Sequence, residues 1–252
     1  MDRFRIDGKI AVITGGAGGI GEVICQELAR AGAYIVLADY NEERGNAIVD
    51  DLNKAGFQAE FSILDVTSSA QVKALFKKVA SDHGKVDILV NCAGVTRRMD
   101  SLEFDEEAFD RIMAVNVKGV FLCCKYAAQS MVKQNGGKIV NMASIGGVRA
   151  LRNTMGYCTS KGAVVQMTRA FAMDWAKYKI NVNAVGPALN NTPIAAPVME
   201  DKEMYQYFLN HIPLGRLCEP IDVACAVRYL ASPAADFVTG QILMVDGGWS
   251  ID

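Results

Sequence analysis

The chain has 252 residues, 51% hydrophobic and 21% charged, with a formal net charge of -2. This composition supplies one large apolar core, and α/β folds of this length commonly form one domain. The near-neutral balance gives no overall field favouring nucleic acid or an anionic membrane, and no apolar run is long enough to span a bilayer.

Short β-rich runs alternate with longer helical patterns from end to end. Strands are expected at Ile10–Thr14, Tyr34–Ala38, Gln58–Ile63, Ile88–Asn91, Lys138–Met142, Ile180–Val185 and Ile242–Val245. Helices are expected near Gly19–Ala31, Glu42–Ala55, Ser69–Asp82, Glu106–Gln134, Tyr157–Tyr178 and Ile221–Leu230. Ser68 followed by Gln71 fits a capping box, Gly32 and Gly56 follow helical runs where a left-handed residue is wanted, and Pro220 suits a first helical turn. Runs such as Ile88-Leu89-Val90 are apolar on both faces, as in a sheet covered by helices on two sides. The alternation of β and α elements implies an α/β fold with a doubly wound parallel sheet.

The opening residues, from Met1 to Asp7, alternate charge with apolar character and lack the apolar core of a signal peptide, so a cytoplasmic protein is expected. Seven cysteines are scattered without a Cys-x-x-Cys pair, which favours reduced thiols over a disulfide framework. Only His83 and His211 are available, and neither has a partner at ligand spacing, so no metal site is expected.

Thr14-Gly15-Gly16-Ala17-Gly18-Gly19-Ile20-Gly21 directly follows the first strand and opens a helix, the setting that a dinucleotide fingerprint requires. Glycines there permit the tight turn and a close approach of backbone N–H groups to a pyrophosphate, and the helix N-terminus adds partial positive charge. Alone, a glycine cluster is more often a plain turn. Asp39 ends the second strand, roughly 20 residues on, where an acidic residue accepts hydrogen bonds from the adenosine ribose. Its carboxylate would repel a 2′-phosphate and Ala17 offers no compensating cation, so NAD is expected over NADP. The other reading of Asp39 is a turn or cap residue beside Asn41.

With these residues in place, the chain resembles the short-chain dehydrogenase/reductase family in its compact form, over nearly all of its length. The resemblance runs through Asp65-Val66, Asn91-Cys92-Ala93-Gly94, Asn116-Val117-Lys118-Gly119, Ser144, Tyr157-Cys158-Thr159-Ser160-Lys161, Gly186-Pro187 and Val245-Asp246-Gly247-Gly248. Each motif is weak singly; all of them in order are specific. The resemblance implies a Rossmann-like sheet of seven parallel strands, a nicotinamide cofactor and a homotetramer. It also implies that Gly15, Gly18, Gly19, Ile20 and Gly21 cradle the diphosphate, that Asp65 and Val66 contact the adenine, and that Asn91, Ala93 and Gly94 wall the nicotinamide side. Pro187 and Thr192 are implied at the carboxamide. Ala188 departs from the family, which commonly has Gly after that proline.

Of the eight tyrosines, only Tyr157 has a lysine four positions later. An ammonium on the same helical face, together with the charge of oxidised nicotinamide, favours the phenolate and lowers its pKa toward the working range of a proton donor and acceptor. Tyr157 is therefore assigned the proton transfer. Lys161 is assigned its tuning and, by resemblance, a bond to the nicotinamide ribose. Ser144 is assigned the substrate oxygen, and Asn116 a water linking Lys161 to solvent. Outside this constellation, Ser144 reads as a cap, Asn116 as a satisfied helix polar group, and Tyr157 with Lys161 as a half-exposed pair.

One domain over residues 1–252 is expected, with a substrate lid at about 188–214 that contains Pro193, Pro197, Pro213 and an amphipathic run at Met199–Asn210. Packing of that run against a neighbouring helix is the alternative. Arg97, Arg98, Arg149 and Arg152 lie close in sequence to the expected pocket, and Asn190 and Asn191 suit hydroxyl recognition. Guanidinium groups bind carboxylates bidentately, and the Ala93–Arg98 stretch looks like that of family members acting on gluconate-type sugar acids. A polyhydroxylated or anionic small-molecule substrate is expected, with the arginines as solvated surface residues the competing reading. The rival functions are a 3-oxoacyl thioester reductase, disfavoured by Asp39 and Ala17, and a non-catalytic nucleotide sensor, which has no need of Asn116, Ser144, Tyr157 and Lys161 together.

Overall fold

The computed structural model describes residues 2–192 and 195–251. Seven parallel strands form one sheet in the order β3-β2-β1-β4-β5-β6-β7. They are β1 (Ile10–Thr14), β2 (Tyr34–Asp39), β3 (Ala59–Ile63), β4 (Ile88–Asn91), β5 (Gly137–Met142), β6 (Ile180–Pro187) and β7 (Ile242–Val245). The chain order reverses at β1, which pairs with β2 on one side and β4 on the other. That switch point is where an open α/β sheet leaves a crevice at its strand ends.

Alternate strand residues feed two separate cores. Ala11, Ile13, Ile35 and Leu37 face one core, which also holds Ile24 and Leu28 of α1 (Gly19–Arg30), Ile48 of α2 (Glu42–Lys54), and Val223 and Val227 of α9 (Pro220–Ala231). Ile10, Val12, Val36 and Ala38 face the other, with residues of α3 (Ser69–His83), α5 (Val120–Lys133) and α6 (Met155–Trp175). Each fully buried Ile or Leu contributes roughly 1.5–3 kcal/mol, so both strand faces favour this arrangement. Two-sided burial is why these strands read as continuous apolar runs.

Local signals act as read, with exceptions. Gly32 and Gly56 take φ of +103° and +85° after their helices, and Pro220 opens α9. Half of the Ser68–Gln71 box forms: Ser68 Oγ accepts from the Gln71 N–H at 3.4 Å, while Gln71 Oε1 accepts from the Asp65 N–H instead. The expected helix Glu106–Gln134 is interrupted. α4 (Glu106–Met113) passes through a π-helical turn at Ala114–Gly119 into α5. The amphipathic run near Met199–Asn210 is two helices, α7 (Ala196–Glu200) and α8 (Lys202–Asn210), separated by Asp201, whose carboxylate caps α8. Pro193 lies outside the described residues.

Candidate active site

The C-terminal strand ends open into a cavity of about 930 Å3. That is ample for a dinucleotide end and a small substrate, since ligand pockets run from roughly 300 to 1,000 Å3. One end is glycine-built. Gly15 has φ of +68°, and a Cβ on it would lie 2.5 Å from the Ala93 nitrogen; a Cβ on Gly21 would lie 2.1 Å from the Gly15 oxygen. The β1 turn therefore passes directly against both the β4 turn and the first turn of α1, and only glycine permits either approach. The N-cap Gly18 brings no capping side chain, so the α1 terminus faces the cavity with its own N–H groups. These features fit a diphosphate.

Asp39 is buried. Its Oδ2 accepts from the Ala17 N–H and its Oδ1 from the Asn41 N–H, each at 3.0 Å. The carboxylate thus ties the glycine turn to the β2–α2 turn while lining the cavity. Asp65, Val66, Ala93, Gly94, Pro187 and Thr192 also line it. Asn91 does not. It is 2% exposed behind that wall and donates to Asn141 Oδ1 at 2.8 Å and to Cys124 Sγ at 3.2 Å. Asn141 in turn donates to Thr168 Oγ1, and Thr168 to the Val164 carbonyl, which gives a buried amide ladder across β4, β5 and α6. Sequence reasoning missed the ladder because its partners lie on elements far apart in the chain.

At the other end Ser144, Tyr157 and Lys161 converge on the same cavity. Ser144 follows β5, and its Oγ accepts from the Gly146 N–H at 3.0 Å, which leaves its hydroxyl proton to point elsewhere. Tyr157 lies in the first turn of α6, and Lys161 follows one turn later on the same face. The Lys161 Nζ donates to the Met142 carbonyl at 2.7 Å and sits 5.7 Å from the Tyr157 ring centroid. Burial lowers the Lys161 pKa to about 8. Burial raises the Tyr157 pKa, and the hydrogen bond with Ser144 pulls back against that rise. Desolvation disfavours the charged form of each group, which raises a phenol and lowers an ammonium.

Asn116 is fully buried in the π-helical turn. Its Oδ1 accepts from the Val95 N–H at 2.8 Å, and its Nδ2 donates to the Val95 carbonyl and to Ser160 Oγ. The amide thus clamps the Gly94–Val95 segment to α6. Cys92 also lines the cavity; burial raises its thiol to about 11, against the pull of Lys161.

The candidate substrate residues separate. Arg98 and Asn190 line the cavity, and the Arg98 guanidinium lies 5.4 Å from the Phe208 ring centroid. Arg97, Arg149, Arg152 and Asn191 are not among the lining residues. Arg97 and Arg152 are exposed. Arg149 donates to the Trp249 carbonyl, and the Asn191 N–H goes to the Cys218 carbonyl. Arg111, in the last turn of α4, lines the cavity and was missed. Ala188 is 8% exposed, and the non-glycine residues with positive φ among those described are Asn135, Asn153 and Lys179. The backbone at Ala188 therefore makes no demand for glycine.

A seven-stranded doubly wound sheet, a glycine cradle and a Ser, Tyr, Lys cluster at one crevice define a nicotinamide-dependent oxidoreductase class. The chain belongs to the short-chain dehydrogenase/reductase family: a family model described as enoyl-(acyl carrier protein) reductase matches residues 15–250. Galactitol 2-dehydrogenase (L-tagatose-forming) of Cereibacter sphaeroides is 38% identical, the match covering 98% of this chain and 97% of that one. NAD-dependent glycerol dehydrogenase of Listeria innocua is 37% identical, covering 98% and 96%. The crystal structure of a gluconate 5-dehydrogenase from Burkholderia cenocepacia, in complex with NADP and tartrate, superposes with a TM-score of 0.97 at 36% identity, covering 100% of this chain and 98% of that one. Among the described residues no helix is long and apolar enough to cross a membrane, and no cluster of side chains suits a metal ion.

Proposed function

We propose that the protein interconverts a secondary alcohol and a carbonyl on a polyhydroxylated or anionic, sugar-acid-like small molecule, with NAD preferred. The observation that carries this reading is the convergence of Ser144, Tyr157 and Lys161 on a cavity whose far end is the glycine cradle with Asp39. Relatives named for galactitol and glycerol, and a neighbour named for gluconate, support the substrate class. Arg98 supplies the cation for a carboxylate, and Asn190 an amide for hydroxyls.

In reduction Tyr157 gives its proton to the substrate oxygen while Ser144 donates a hydrogen bond to that oxygen and stabilises the charge developing on it. In oxidation the same phenol, deprotonated, receives the hydroxyl proton. Lys161 holds its ammonium against the Met142 carbonyl beside the phenol, and Asn116 fixes the spacing between α6 and the Gly94–Val95 turn. When bound, the dinucleotide supplies the hydride acceptor or donor and, oxidised, a positive charge that adds to that of Lys161 in favouring the phenolate.

Asp39 supports NAD, because a buried carboxylate beside the ribose opposes a 2′-phosphate. The Burkholderia neighbour holds NADP, so kinetics with both cofactors decide the preference; a higher kcat/KM with NADP would remove it. Following nicotinamide absorbance across sugar acids, polyols and apolar ketones tests the substrate class. Turnover confined to apolar ketones, or to 3-oxoacyl thioesters, would sink the proposal. Tyr157→Phe is expected to cut kcat by roughly 100- to 10,000-fold, the usual contribution of a positioned proton donor; a loss of only a few-fold would refute the assignment. The exposed Phe121 and Met173 suit burial between copies, and light scattering of a homotetramer would give four times the 27.2 kDa chain mass.

A further inference from the structure

Two struts join the glycine turn region to the β2–α2 turn. Asp39 is the inner one, through the Ala17 and Asn41 N–H groups. The outer one is an ion pair. Arg44 Nη2 lies 2.5 Å from Glu22 Oε2, the side chains being 53% and 25% exposed. Glu22 is in the first turn of α1, its N–H bonded to the Gly18 carbonyl. Arg44 is in the first turn of α2, its N–H capped by Asn41 Oδ1 at 3.0 Å. Both partners therefore stand within about a helical turn of Ala17, Gly18, Tyr40 and Asn41, the residues that line the Asp39 end of the cavity.

An exposed pair of this kind adds little to stability. Its larger effect is on where the guanidinium points. A planar guanidinium binds phosphate oxygens bidentately, and Arg44 follows Asn41 by one turn at the Asp39 end of the cavity. The geometry points to Glu22 as a cofactor-specificity residue: it latches Arg44 to α1 and so withholds from the 2′-phosphate of NADP the cation that would offset Asp39. The discrimination against NADP then has two parts, the repulsion of Asp39 and the engagement of Arg44.

This inference rests on the dinucleotide reading of the Asp39 end, and the test separates the two. Calorimetric Kd values for NAD and for NADP are measured on the wild-type chain, Glu22→Gln, Arg44→Ala and the double variant, with thermal melting to verify folding. The wild-type ratio of the two Kd values tests the NAD preference alone; a ratio favouring NADP removes that preference without touching the latch. Glu22→Gln tests the latch. The Kd ratio of NADP to NAD should fall about two- to fivefold, the scale of releasing an exposed ion pair. Arg44→Ala in the Glu22→Gln background should cancel that improvement. An unchanged ratio in Glu22→Gln, or an improvement that survives in the double variant, overturns the latch. Failure of both nucleotides to bind the wild type removes the dinucleotide reading and the latch with it.

Discussion

Lys161 is 4% exposed, and its pKa of about 8 lies below the 10.5 of a free lysine. A base whose folded pKa is depressed destabilises the fold where it is charged. The cost is fully present below about pH 8 and disappears above 10.5, so stability rises with pH between those values. A shift of this size is worth ~3 kcal/mol to order of magnitude. Replacing the lysine by an apolar side chain of similar length removes the titration. Denaturant melts of the wild type and Lys161→Met at pH 7.5 and 10 should show the wild type gaining on the variant as pH rises; parallel curves would mean that Lys161 is not held desolvated. The variant should be inactive at either pH, since stability is traded here for a charge beside the phenol.

At the scale of the element, the β1–α1 turn is the part with least tolerance. A Cβ at residue 21 would meet the Gly15 carbonyl oxygen at 2.1 Å, backbone against backbone, with no flexible side chain to give way. Gly21→Ala is expected to lower stability by about 1–3 kcal/mol, as overpacking does, and to weaken NADH binding measured by fluorescence. Retention of wild-type affinity and melting temperature would show that the turn relaxes freely. The glycine pattern made this turn legible in sequence because a chemical rule forbids other residues there. The π-helical turn at Ala114–Gly119 was not legible, since one wide turn rotates the apolar stripe between two helical stretches that each keep their own 3.6-residue periodicity. Asp201 was likewise read as part of an amphipathic run, although an Asp ahead of a helical turn is also a cap signal.

For the molecule as a whole, the region after β6 packs as a third apolar cluster apart from the two cores of the sheet. It contains Ile145, Ala188, Val198, Phe208, Ile212, Leu217 and Trp249. Phe208 meets Trp249 edge to face at 5.2 Å and lies beneath Arg98, so a single side chain joins α8, the C-terminal turn and the cavity rim. The lid proposed for residues 188–214 suits a segment that packs largely on its own small cluster. Phe208→Ala should raise the substrate KM about tenfold, ~1.4 kcal/mol, while the calorimetric Kd for NAD stays within about twofold. Equal losses in both would place this region in the cofactor site instead of over the substrate.

The strand positions, the two-sided sheet, the glycine cradle and the spacing of Tyr157 to Lys161 were decided by the sequence alone, because each follows from a local rule: apolar periodicity, turn chemistry, or helical geometry. The tertiary structure decided what depends on distant segments meeting. It placed Asn91 behind the wall, spent the Asn116 amide on Val95, removed Arg97, Arg149 and Arg152 from the cavity lining and brought Arg111 into it. It also desolvated Tyr157 and Lys161, which raises the pKa of the first and lowers that of the second. A pattern along the chain reports which charges are near one another, whereas the water excluded around them is set only once the helices close over the sheet.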